Sequence, residues 1–130
     1  MNEIITKINN KIALLIYRKN QLSCSKKNIK FYYSEKINEI NYELLDLRAQ
    51  IIYYNNYNND QIIDLHGATL YFVKEYLDDL LYHKMNFYKK VKLITGKGSY
   101  TLFNGVKKYL ESENLFYQID STNNFIITLF

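Results

Sequence analysis

Residues 1–58 contain neither glycine nor proline, and proline is absent from the whole 130-residue chain. With nothing in this stretch to break a backbone hydrogen-bond ladder, it can be helical wherever apolar residues recur at helical spacing. Ile5, Ile8, Ile12 and Leu15 form one such stripe, and Ile37, Ile40, Leu44, Leu47, Ile51 and Tyr54 form a second. Either stripe alone is marginal in water, so the two are expected to pack on each other as a helical hairpin. The bend is expected near Tyr33 and Ser34, with Ser34 as N-cap of the second helix.

Charge divides the same region. Residues 1–34 carry seven basic side chains against Glu3, whereas residues 35–60 carry five acids against Lys36 and Arg48. Mutual support between antiparallel helices accounts for this without any ligand. The sharper reading makes Lys19, Lys26, Lys27 and Lys30 a phosphate-contacting face. The net charge of +4 leans the same way, towards a polyanionic partner. The abundant Asn, Ile, Lys and Tyr are read as compositional drift in an AT-rich genome, so the tyrosines need not form a stacking surface.

The stretch "YYNNYNND", residues 53–60, reads as an asparagine-rich linker between a helical extension, 1–58, and a second domain, 59–130. Beyond it the period changes. A strand over 61–65 precedes a helix from Leu70 to about His83, capped by Thr69. A strand over 91–94 then precedes an amphipathic helix around Leu102, Val106 and Leu110, in which Gly105 permits a close approach to the sheet. Two strands, 116–119 and 125–130, close the chain around "DSTNN". The order β-α-β-α-β-β predicts a two-layer α/β sandwich with a mixed sheet.

Side chains alternate along a strand, so Asp64 and His66 should share one side, about 6.6 Å apart along the backbone. Thr95 to Ser99, "TGKGS", follows the second strand at the matching end. Ligands of open α/β sheets bind beyond the carboxyl ends of the strands, which brings both segments to one crevice. Gly96 and Gly98 leave backbone N–H groups free to face an anion, and Lys97 adds a positive charge. The loop is not a Walker motif, because Val91 and Gly98 stand where that motif needs glycine and a hydroxyl residue. An imidazole titrates near neutrality and can move a proton on a hydroxyl, a water or a leaving oxygen, and Asp64 can orient it. Without a ligand, Asp64 caps the turn and His66 is an ordinary hydrogen-bonding residue.

Taken together, Ile63-Asp64-Leu65-His66-Gly67, "VKLITGKGS", "LFNGVKKYL" and "NNFIITLF" resemble the small MutS-related (Smr) domain over about residues 61–130. That resemblance implies a nucleic-acid-binding domain with endonuclease activity in several members. It places Asp64 and His66 at positions implicated in cleavage, and Gly67, Thr95, Gly96, Lys97, Gly98 and Ser99 around the phosphate. Thr95 stands where many members carry a second histidine, which removes a two-histidine acid–base scheme. Asn124 replaces a glycine in the last hairpin. The helices before Asn58 are loosely similar to the extension preceding eukaryotic Smr domains, without the Gly-Asp turn between them.

Three readings follow in order: an endonuclease acting on RNA ahead of DNA; a binding module on RNA, DNA or the ribosome that does no chemistry; and a helical protein-interaction surface. The residues require no cofactor and are compatible with a divalent metal such as magnesium. Cys24, the only cysteine, leaves no internal disulfide. No apolar run spans a membrane, so the expected location is the cytoplasm, with the nucleus second.

Overall fold

The computed structural model describes residues 2–24, 30–96, 100–120 and 124–128. The chain divides into two compact units, Met1–Ile51 and Ile52–Phe130.

The first unit is a helical pair, α1 (Asn2–Cys24) and most of α2 (Lys30–Asn56). Its apolar stripes turn inwards: Ile8, Ile40, Leu44 and Ala49 are buried, and Ile5, Ile12, Leu15, Ile37 and Leu47 are half-buried. Leu14, Leu15, Tyr42 and Leu47 line one groove with Lys11, Glu43 and Asp46. Ser34 lies a turn inside α2, not at its start, because nothing in the run Lys30–Tyr33 prevents helix and a serine tolerates a helix interior. Lys26 and Lys27, the centre of the basic stretch, fall outside the described residues.

Helix α2 continues through Asn56, so half of the asparagine-rich stretch is its final turn. The second unit follows with β1 (Ile62–Asp64), α3 (Leu70–Glu75), α4 (Leu77–Met85), β2 (Lys90–Ile94), α5 (Tyr100–Ser112), β3 (Tyr117–Ile119) and β4 (Asn124–Thr128). The four strands form one sheet in the order β1-β2-β4-β3. β1 and β2 are parallel, with Asp64 opposite Ile94, and the other pairs are antiparallel. The mixed sheet follows from chain order: a parallel neighbour needs a helical crossover, whereas β3 and β4 are joined by a short turn.

Alternation sets the two faces. Ile63, Leu65, Val91, Leu93 and Phe125 are buried, whereas Ile62, Asp64 and Lys90 are exposed. Phe72, Leu77 and Leu80 from α3 and α4 and Val106 and Leu110 from α5 are fully buried as well. Each such side chain removed from water stabilises the fold by roughly 1.5–3 kcal/mol before entropy is counted. Thr69 caps α3, its Oγ1 accepting from the Phe72 amide at 3.3 Å. The expected single helix is two, because the backbone at Tyr76 leaves helical values, and the Tyr76 ring lies 5.8 Å from those of both Tyr53 and Phe72. Gly105 serves a close approach to Leu70 at the start of α3, not to the sheet.

The acids in the first turn of α4 tie in two other helices. Tyr53 donates to Asp79 at 2.5 Å and Tyr109 donates to Asp78 at 2.8 Å. Burial, then the bond to the carboxylate, pushes both phenols far above their ordinary range. Among the described residues no helix is long and apolar enough to cross a membrane.

Candidate nucleic-acid interface

Burial of Ile63 and Leu65 turns Asp64 and His66 to the open face at the carboxyl end of β1. The Asp64 carboxylate accepts from the His66 backbone amide at 3.1 Å, and its Oδ1 lies 3.0 Å from His66 Nδ1. The two side chains remain 48% and 78% exposed, so a polymer can reach them. Burial pushes the Asp64 carboxyl up, but the His66 amide, the ring hydrogen bond and the imidazole charge outweigh it and hold the group below the usual carboxylate range.

That direction fixes a pH dependence. The depressed carboxyl contributes stability above the unfolded-state value, about 3.9. The contribution fades as pH falls through the lower folded-state value. Solvent screening at this half-exposed pair keeps the effect small. Urea midpoints of the wild type and Asp64→Asn are therefore expected to differ near pH 6 and to converge in acid; a gap that widens in acid would contradict the assignment.

The second segment arrives through the sheet. The Leu65 amide donates to the Ile94 carbonyl at 2.7 Å, which carries the ladder one step past β1. Thr95 and Gly96 then run beside His66. A Cβ on Gly96 would sit 3.3 Å from the His66 Cβ, and Gly96 has φ +83°, so a side chain here meets both crowding and strain. Gly67, at φ +77°, turns the chain away from β1 with open space around it. The expected meeting of the two strand ends is thus present for Asp64, His66, Gly67 and Gly96. Thr95 is buried, at 2% exposure. Lys97, Gly98 and Ser99 lie outside the described residues.

Two residues absent from the sequence reading complete the site. Asn56, 8% exposed at the end of α2, brackets Asp64: its Oδ1 accepts from the Asp64 amide at 2.8 Å and its Nδ2 donates to the Asp64 carbonyl at 3.0 Å. The same Nδ2 donates to the Ile52 carbonyl at 2.9 Å, which ties the bracket to its own helix. Lys84 is buried, and its ammonium donates to the Asn58 side chain at 2.6 Å and to the carbonyls of Asp60 and Asn58 at 2.7 and 3.2 Å. It thereby pins the segment between Asn56 and β1. Among the described residues, no group of three or more His, Cys, Asp or Glu side chains assembles as a metal site.

A four-stranded mixed sheet with helical crossovers and an exposed Asp-x-His pair beside a glycine-bearing loop defines the class of domain. The Smr domain family model matches residues 63–124. Among solved structures, the solution structure of the B3BP Smr domain shares the fold with a TM-score of 0.53 and 21% identity, over 65% of this chain and 94% of that one. No curated protein sequence matches the chain. Residues 63–124 of this chain match the Smr domain model and the region has the Smr fold, preceded by a pair of helices. Smr domains are a nucleic-acid-binding family with some nuclease members.

Proposed function

We propose that this chain is an endonuclease that cleaves phosphodiester bonds in RNA, with nicking of DNA as the alternative. The observation carrying the proposal is the Asp64–His66 pair, exposed at a strand end beside the first glycine of the second loop. With Nδ1 directed to Asp64, Nε2 is the ring nitrogen left to exchange a proton with substrate. As general base it takes the proton from a 2′-hydroxyl or a water; as general acid it returns it to the departing oxygen. Asp64 holds the ring in place through Nδ1. Lys97 and the backbone amides of Gly96 to Ser99 grip the phosphate and stabilise its growing charge, with Gly67 and Thr95 shaping the turns that bring them there. RNA stands ahead of DNA because a 2′-hydroxyl supplies a nucleophile within the substrate itself. Asp64 and His66 offer two donors, so a divalent ion at this site would rest mainly on water and phosphate oxygens.

A binding role without cleavage, on RNA, DNA or the ribosome, is the second reading. The threonine at position 95 and its burial favour it, since no second proton-transfer group stands there. Binding of a labelled single-stranded RNA, followed from low to physiological salt, tests what both readings share. Affinity is expected to fall with salt, and Lys97→Ala is expected to weaken binding and lower the magnitude of the logarithmic slope by about one. Affinity indifferent to salt would remove the phosphate contact. Cleavage measured on the same RNA, with and without a chelator, separates the two readings and gives the metal requirement.

A further inference from the structure

The final turn of α2 does more than support Asp64. Ile52, Asn55 and Asn56 form one wall of a cleft of 340 Å³ whose other wall is Asp64 and His66. The bracket from Asn56 holds this wall against β1 with two hydrogen bonds to Asp64, and a third ties it to Ile52 of its own helix. Ile52 offers an apolar surface. Asn55 is exposed, and among the described residues no hydrogen bond engages its side-chain amide. The wall is the carboxyl end of a 27-residue helix, where the helix dipole gives a negative field. With the Asp64 carboxylate opposite, the cleft repels a phosphate and suits an uncharged group rich in N–H donors.

We infer that this cleft is a subsite for one unpaired nucleobase next to the phosphate that the Gly96 loop holds beside His66, and that Asn55 reads its edge with a preference for adenine. The inference rests on the proposed nucleic-acid role of the site. A side-chain amide presents one donor and one acceptor side by side, which matches the N7 acceptor and N6 donor of adenine. Bases in single strands are open to such reading, whereas bases in a duplex are not splayed out. Ile52 packs against the face of the base, and Asn56, with both ends of its amide committed to Asp64, sets the depth of the cleft.

The test uses the full ¹⁵N-labelled chain titrated separately with AMP, GMP, CMP and UMP and followed by NMR. The Asn55 side-chain amide signals and those of His66 are expected to move, with AMP binding at least about fivefold tighter than UMP. In Asn55→Ala, an exposed change that leaves the core intact, that preference is expected to vanish. Equal affinities for all four nucleotides, or a preference that survives in Asn55→Ala, would overturn the subsite. RNA oligonucleotide binding, measured in parallel, distinguishes the failures. Oligonucleotide binding without any base preference removes the subsite alone, and no oligonucleotide binding removes both it and the function on which it rests.

Discussion

His66→Ala is expected to reduce RNA cleavage by roughly 10²- to 10⁴-fold, the usual contribution of a positioned proton-transfer group. The residue is 78% exposed, so its removal opens no cavity, and the fold should be retained. Binding should change little, because in the proposed mechanism the second loop grips the phosphate and the imidazole acts on the proton. The loss is therefore expected in kcat, with KM nearly constant. Asp64→Asn should fall between wild type and His66→Ala. An asparagine oxygen still accepts from the His66 amide but no longer brings a carboxylate to the ring that it orients. Cleavage of end-labelled single-stranded RNA under single-turnover conditions gives these rates. Equal activity in all three proteins would leave the pair as a turn cap and nothing more.

Lys84→Met is expected to be strongly destabilising although it removes no apolar group from the core. Burial lowers the affinity of this ammonium for its proton, with Asp60 opposing the shift, so the charge is costly unless its acceptors stay in place. Three oxygens of Asn58 and Asp60 surround it. Methionine keeps the volume and removes every donor, leaving those oxygens to water or to nothing. A loss of about 2 kcal/mol follows, or roughly 8–16 °C in Tm for a unit of this size. Thermal unfolding followed by circular dichroism measures it. Since Lys84 pins the segment leading into β1, amide exchange at Ile63 and Asp64 should rise in the same variant. A Tm within 2 °C of wild type would mean that the ammonium is not held as described.

How much of this was legible before folding depends on the range of the interaction. The alternation Ile63, Asp64, Leu65, His66 is local, and it put acid and imidazole on one side. The β-α-β order is topological, and it brought Gly96 against His66. Thr69 capping Phe72 needed only three residues of chain. Asn56 was different. It sat in a run of similar asparagines, and its bond to Asp64 depends on where α2 ends relative to β1, which no local pattern encodes. Lys84 left a signal that went unread: it follows Leu77, Leu80 and Leu81 at seven, four and three positions, so it lies on their apolar face. A lysine there must either snorkel to water or find buried acceptors, and a loop folded over it supplied them. Ser34 misled in the opposite sense. Serine is a strong N-cap only where the preceding residues leave the helix, and here helix begins at Lys30.

Asn56 belongs to the second unit, although its helix begins in the first. The turn that brackets Asp64 is the last turn of the same helix whose earlier residues, Ile40 and Leu44, are buried in the first unit. Shortening the chain to start at residue 59 would therefore take the Asn56 bracket away with the helices. Any activity comparison between the full chain and such a fragment reports on the site as well as on the extension.

The most direct test of the whole account is photo-crosslinking of the full chain to a short single-stranded RNA, with the attached peptides identified by mass spectrometry. The account predicts attachment within residues 62–67 and 95–100, the two strand ends that meet at His66. Attachment confined to the basic stretch of residues 1–30, with neither strand end labelled, would contradict it.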